Sequence, residues 1–480
     1  MTNTTKKTLM IGILALVLAS CNEPGGETPN SSNTGADTGT SEATGDPFDP
    51  NKPVEVTFWH TMGKQNQDIV KAMITEFNHA YPNITIKETS AAGGYDDLQS
   101  LILKNVATGN LPTMAFCYPD HVAEYLDRNC VLDMSSYVDD PTYGFKEEDG
   151  KSTDEFGAVR VGVNDFVSSF WQEGKEYVKE GIYSVPFAKS TEAMFYNKTQ
   201  FDAHGWTVPT TWDEMWELAR EIRQAYPEKD EKGEYITYPL GYDSDSNFFI
   251  TMCQQRGLDY TTNDLVNHDS HFIFNNKGVK DLLAELKGYY DEGLFKTKGT
   301  SANSTYTSTK FTAQEIMMSI GSTGGTTYNQ TQNFEVGVAV PPSEDLNAPA
   351  VVSQGPSICF FNRATPAQRT AAWLFYKFIS NATNSVIYGI STGYQPVRYS
   401  SYETEYYADF IEGDADNLLA KVADLSSTMF DSYFTSPVFV GSALARDQVG
   451  KMLPSVLQGT KTVDKAIDDA MSNCINGTRN

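Results

Sequence analysis

The chain has 480 residues, room at roughly 100–200 residues per domain for two or three domains with full cores. A net charge of −26 excludes a general nucleic-acid binder, which needs a basic footprint, and 40% hydrophobic content with 12% aromatics excludes wholesale disorder. A single apolar run near the N-terminus excludes a multi-span channel, and six scattered cysteines without a CxxC pair or a Cys/His cluster offer neither a disulfide scaffold nor a zinc site.

The first residues read as an address. Lys6 and Lys7 precede an apolar stretch over 9–19 that is too short to span a membrane. It ends in Leu18-Ala19-Ser20-Cys21, which resembles the bacterial lipobox. That resemblance implies a signal peptide over 1–20, a lipid on Cys21, and a protein held at the bacterial cell envelope by that anchor alone; the other reading is an ordinary signal peptide with a chance cysteine. Residues 21–53 are rich in Gly, Ser, Thr, Asn and Pro and lack hydrophobic periodicity. They read as a disordered tether, which at ~5–6 Å × √n gives a reach of roughly 30 Å.

From residue 54 the pattern alternates strand and helix. VEVTFW over 54–59 is a β-rich first strand, 67–77 a helix, 84–86 a second strand, 95–106 an amphipathic helix and 114–117 a short buried strand. This order predicts an α/β fold with doubly wound parallel sheets, whose ligands sit beyond the carboxyl ends of the strands. The loops to watch carry His60-Thr61-Met62, Gly93-Gly94-Tyr95 and Tyr118-Pro119-Asp120. Strands are expected near 183–186 and 193–196 around a polar turn at 189–192. Thr211 is placed to cap a helix with Asp213 and Glu214 in its first turn, and AAWLFYKFI over 371–379 is a buried helix.

At this point the chain is identified as a member of a known family. FWHTMG over 58–63, ATGNLPT over 107–113, VPFAKSTEAMFYNKTQFDAHGW over 185–206, PTTWDEM over 209–215 and STGYQPVR over 391–398 resemble, in order and spacing, the family 1 extracellular solute-binding proteins of bacterial ABC importers. The similarity runs most strongly to the branch binding glycerol 3-phosphate and glycerophosphodiesters. It implies a two-lobed periplasmic-binding-protein fold, with crossover strands near 191–195, 336–340 and 393–394 and an interlobe cleft that closes on ligand. Lobe one is then 54–191 plus 341–392, and lobe two 192–340 plus 393–480. No cofactor and no metal is implied. The implied partners are a small polar solute and the permease subunits, with the protein a monomer that makes no nucleic-acid contact.

Carried over residue by residue, the branch's ligand site falls on Tyr95, Asp120, Ser190, Ser322, Gly355, Tyr394 and Arg446. Trp59 is a further cleft candidate from its strand. Where the branch presents paired tryptophans, this chain has Ser246 and Phe249, with Asp243 and Asp245 beside them, so a neutral sugar or oligosaccharide stands level with a phosphodiester as ligand. Each residue also has a plainer reading. A tyrosine after two glycines is commonly turn chemistry, a lone arginine a surface cation, and Trp212 with Trp216 at i,i+4 helix packing. His60 has no nucleophile motif beside it and reads as a hydrogen bonder, and Ser357 in GPSIC lacks the second glycine of a nucleophile elbow. The alternative to a binding protein is a surface-anchored glycan or phosphodiester hydrolase, which needs paired carboxylates or a metal cluster that the sequence does not display. Among Cys117, Cys130, Cys253, Cys359 and Cys474, Cys117 and Cys359 read as inert core thiols, and a Cys117–Cys130 pair stays open.

Overall fold

The computed structural model describes residues 47–145, 162–413 and 416–478, so the signal peptide, Cys21 and the tether up to residue 46 lie outside the described residues. The described strands are β1 (Val54–His60), β2 (Ile84–Ser90), β3 (Met114–Cys117), β4 (Val185–Pro186), β5 (Glu192–Asn197), β6 (Tyr238–Tyr242), β7 (Phe295–Thr297), β8 (Ile316–Ser322), β9 (Val336–Ala339), β10 (Val351–Val352), β11 (Ser357–Phe360) and β12 (Tyr433–Phe434). They form two five-stranded sheets, ordered β2-β1-β3-β11-β4 and β7-β6-β8-β5-β9, and a small β10-β12 pair.

In the first sheet β1 runs parallel to β2, pairing Val54 with Ile84 and His60 with Ser90, and parallel to β3, pairing Phe58 with Met114. In the second, β6 lies parallel between β7 and β8. The sheets are mixed rather than wholly parallel as expected. β11 returns antiparallel to β3 and β4, and β5 is antiparallel to β8 and β9, because these strands enter from the opposite sheet instead of through a βαβ crossover. Each sheet has its own core. Phe58, Phe77, Phe116, Trp373 and Tyr376 pack in the first; Trp212, Phe248, Phe249, Leu283 and Phe295 pack in the second. Full burial of each such side chain contributes about 1.5–3 kcal/mol.

Local chemistry sets the helix starts. Thr211 Oγ1 accepts from the Glu214 amide at 3.2 Å while Glu214 Oε2 accepts from the Thr211 amide at 3.2 Å, a reciprocal cap on Trp212–Ala225. Pro366 opens Pro366–Ile379 at the position where a missing N–H costs nothing, and Trp373, Phe375 and Tyr376 bury it on every side. Tyr95–Val106 starts behind Gly94, whose amide donates to Asp97 Oδ2 at 2.8 Å. Gly93 sits at φ +92, and a Cβ there would lie 2.1 Å from Asp97 Oδ2.

Three expectations change. The sequence pattern extends the tether to residue 53, yet Phe48 sets its ring 5.9 Å from Tyr143 and the Pro50 carbonyl accepts from Asn83 at 3.0 Å, because an aromatic side chain there finds apolar surface to cover. The segment after Gly393, placed in lobe two by the family resemblance, is divided: Val397, Met429, Tyr433 and Val438 pack in the first core, Leu418 and Val422 pack with Phe195, Ile316 and Val336 of the second sheet, and Phe439 joins the second core. Arg398 fastens its start to the first core, 3.9 Å over the Phe166 ring with a hydrogen bond to the Ser380 carbonyl at 2.6 Å. The turn at 189–192 is buried along its length, with Glu192 opening β5.

All five described cysteines are free and buried, so Cys117 and Cys130 do not pair; burial pushes the Cys130 thiol up to about 12. Among the described residues no helix is long and apolar enough to cross a membrane, and no cluster of His, Cys, Asp and Glu is arranged to hold a metal ion.

Candidate ligand-binding cleft

Loops leaving the carboxyl ends of β1, β2 and β3 carry one wall of the candidate site. Tyr95 begins its helix and stacks on Tyr118, which precedes the helix Pro119–Asp127, with ring centroids 4.3 Å apart and planes at 27°. The Tyr394 phenol lies close enough to Tyr95 for each to act on the other's ionisation. Burial raises the phenols of Tyr95, Tyr118 and Tyr394 above their ordinary value, so all three stay neutral hydroxyls at neutral pH. Beside them the His121 ring, almost wholly buried, places Nε2 3.3 Å from Asp96 Oδ1 and 4.0 Å from Asp120 Oδ1. The hydrogen bond from His121 holds the Asp96 carboxyl below its usual range against an opposing push from burial.

Three passes of chain run side by side between the sheets. Ser190 donates its amide to the Gln354 carbonyl at 2.9 Å and accepts from the Gln354 amide at 2.7 Å; the Gln395 amide donates to the Lys189 carbonyl at 2.6 Å. Lys189 Nζ, buried, donates to Glu173 Oε2 at 2.5 Å and to the Gly355 carbonyl at 3.1 Å. Ser322, opposite Glu192 in the β5–β8 register, reaches Ser190 Oγ at 3.4 Å. The Tyr394 ring lies against Gly324, where a Cβ would come within 3.0 Å of it.

The second sheet supplies the other wall. Arg446, on the helix Ser442–Leu457, donates to Asn247 Oδ1, its one hydrogen-bond partner among the described residues. Asn247 Nδ2 donates in turn to Glu192 Oε1 at 2.8 Å, and the Tyr242 hydroxyl donates to Glu192 Oε2. Glu192 is 1% exposed, and burial pushes its carboxyl up to about 7 against the hydrogen bonds from Tyr242 and Asn247 and the charge of Arg446. Tyr118 from the first wall and Tyr260 from the second each feel the charges of both Arg446 and Asp120. Phenols, a guanidinium and carboxylates thus stand on the two walls of the candidate cleft.

A model of bacterial extracellular solute-binding proteins matches residues 72–413. The chain belongs to that family. An sn-glycerol-3-phosphate-binding periplasmic protein, UgpB, of Escherichia coli O1:K1 is 24% identical over 427 residues, covering 87% of this chain and 90% of the relative. Among solved structures, UgpB of Mycobacterium tuberculosis in complex with glycerophosphocholine superposes with a TM-score of 0.70 at 17% identity, covering 88% of this chain and 97% of that one. The binding protein Lmo0181 of Listeria monocytogenes in complex with cycloalternan gives 0.69 at 16% identity, covering 89% and 99%. The fold is thus the two-lobed one of this family, whose members named here are binding proteins rather than enzymes.

Within this solute-binding chain the carried-over residues do not all sit alike. Tyr95, Asp120, Ser190, Ser322, Tyr394 and Arg446 gather as described. Gly355, at φ +86, turns its bare face to the crossing backbone: a Cβ would meet the Ala188 carbonyl at 2.4 Å and the Ser190 amide at 2.8 Å. Its glycine is required by chain packing rather than by room for a solute. Trp59 packs half-buried against the first core on the sheet face opposite His60. Phe249 is 0% exposed and touches Tyr260 edge-to-face at 5.8 Å, so it backs a cleft residue instead of lining the cleft.

Asp243 and Asp245 are already engaged. Asp243 Oδ1 accepts from Thr307 Oγ1 at 2.7 Å, and Asp245 Oδ2 accepts from the Gly299 amide at 2.8 Å, clamping the loops after β7 and before β8. Trp212 and Trp216 stack at 5.6 Å inside the second core, as their helical spacing predicts. His60 is a buried hydrogen bonder with Glu88. Sequence reasoning missed Tyr260, Asn247 and the role of Glu192. The turn KSTE did carry a signal, since a glutamate beginning an apolar strand needs donors wherever it is buried.

Proposed function

We propose that this protein captures a hydroxyl-rich solute, of the carbohydrate or glycerol-phosphate type, between its lobes and delivers it to the permease subunits of an ABC importer. It acts as a monomer, held at the cell envelope by a lipid on Cys21. The observation that carries the reading is the stacked Tyr95–Tyr118 pair set within the field of Arg446. Aromatic faces cover the apolar side of a sugar or polyol, neutral hydroxyls and carboxylates meet its hydroxyl groups, and a guanidinium with open N–H groups binds hydroxyls or a phosphate. Tyr95, Asp120, Ser190, Ser322, Tyr394 and Arg446 are the proposed contacts, Gly355 entering through its backbone. Solute bridging both walls favours the closed arrangement of the lobes, and no bond is made or broken. The relatives named for glycerol 3-phosphate and glycerophosphocholine, and the neighbour holding cycloalternan, support the two solute classes. Titration calorimetry with sn-glycerol 3-phosphate, glycerophosphocholine, maltose and maltotriose tests it. Saturable binding of one class, weakened by Arg446→Ala, is expected; silence across the panel overturns the solute assignment.

A further inference from the structure

The guanidinium of Arg446 and the carboxylate of Glu192 stand on opposite sides of one amide. Asn247 accepts from Arg446 through Oδ1 and donates to Glu192 through Nδ2 at 2.8 Å, so the amide has one orientation that satisfies both neighbours. Glu192 is fixed from its other oxygen by Tyr242, itself stacked on Phe248 at 4.5 Å and buried. Neither Glu192 nor Asn247 is among the residues carried over from the family's ligand site. We propose that Glu192 is a positioning residue of the cleft: acting through Asn247, it sets where Arg446 points and how much of its charge reaches the solute, so that capture is coupled to a proton on Glu192.

The physical argument runs along the hydrogen bonds. With Glu192 ionised, Asn247 is polarised between a negative and a positive group, and the arginine's charge is partly answered from behind. With Glu192 protonated that answer is lost, and Arg446 presents a stronger field to the cleft. The groups acting on Glu192 are Tyr242 and Asp243 from β6 and its following loop and Arg446 from its helix, while β8 places only Ser322 opposite. Burial favours the neutral acid, and the donors and Arg446 favour the ion, which leaves the two forms close in free energy near neutrality. An anionic solute gains from protonation and a neutral one does not.

This inference rests on the solute-capture reading, and its test separates the two. Affinities of the full chain for glycerophosphocholine and maltotriose are measured at pH 6 and pH 8 for the wild type, Glu192→Gln and Asn247→Ala, with thermal midpoints over the same range. The wild type is expected to hold glycerophosphocholine about fivefold tighter at pH 6 than at pH 8, with maltotriose unchanged. Glu192→Gln, an uncharged near-isostere, and Asn247→Ala should both lose that dependence. Because the His60 contribution is common to both proteins, the ligand-free midpoint of the wild type relative to that of Glu192→Gln should fall as pH rises through about 7. Parallel pH profiles of wild type and Glu192→Gln overturn the proposal in either readout. If the wild type binds neither probe, the solute reading fails while the midpoint comparison still judges Glu192.

Discussion

Tyr95 and Tyr118 stack at 4.3 Å although they come from different strand ends and are separated by a whole helix and strand. Neither ring alone presents a platform. Together they form a two-ring stack, each ring bracing the other, whose electrostatic surroundings include Tyr394 and Arg446. Such pairs contribute about 0.5–1.5 kcal/mol beyond area burial. Tyr118→Ala should therefore weaken solute binding roughly tenfold, about 1.4 kcal/mol, while Tyr118→Phe stays near wild type. Calorimetric affinities check this, and an unchanged affinity in Tyr118→Ala would remove the stack from the site.

Phe249 divides stability from binding in the opposite way. It is fully buried behind Tyr260, so Phe249→Ala should cost about 3–5 kcal/mol of stability and Phe249→Leu less than about 1.5. Urea unfolding reads both. A Phe249→Leu protein of full stability with sharply weaker solute binding would put the ring back in contact with the ligand.

The sequence conveyed the alternation of strand and helix because Phe58, Val70 and Ile102 recur at the periods that backbone geometry imposes. It likewise conveyed the cap at Thr211, since capping needs only residues three apart. What it could not convey were contacts between distant segments. Whether Phe249 faces solvent or Tyr260 depends on a loop over ten residues further on, and Gly355 reads as an opening for ligand until the crossing chain at Ala188 is seen to fill it. The carried-over residues came from the family resemblance and not from spacing; the chain Arg446–Asn247–Glu192 needed coordinates, because three segments meet there with no common spacing.

At the crossing, Lys189 and Glu173 form an ion pair with side chains 1% and 2% exposed. Removing one partner strands a charge away from water, so Lys189→Met should destabilise by about 3–5 kcal/mol, whereas Lys189→Met with Glu173→Leu should recover most of that loss. Denaturant midpoints of the two single variants and the double variant form the cycle. Additive losses would show that the pair acts as two independent groups.

Gly355→Ala should be harmful beyond its size. The residue holds φ +86, where an L side chain is strained by roughly 1–2 kcal/mol, and the new Cβ would press on the Ala188 carbonyl 2.4 Å away. Backbone rather than a flexible side chain stands in the way, so the three passes must separate locally. The expected result is a thermal midpoint lowered by several degrees together with weaker solute binding, since Ser190 moves with the strand. A midpoint within a degree of wild type would mean that the crossing yields freely.

His60 gives the fold an acid-side limit. Its Nδ1 accepts from the Met62 amide at 3.2 Å and its Nε2 lies 2.6 Å from Glu88, which fixes a neutral ring donating to a carboxylate. Burial depresses the ring's pKa against the pull of Glu88. Burial also pushes the Glu88 carboxyl up, but hydrogen bonds from His60 and Lys71 outweigh it and leave that group below its ordinary value. A histidine depressed in the folded state takes up its proton more readily when unfolded, so its contribution is present above about 6.5 and declines as pH falls. The Glu88 contribution persists lower and is lost as pH falls below the ordinary carboxylate range. Stability should therefore drop in two stages on acidification, and His60→Gln, which keeps a donor for Glu88 but cannot titrate, should abolish the upper stage. Thermal midpoints between pH 7 and 4 decide it: an unaltered upper stage in His60→Gln would place the responsible proton on another group.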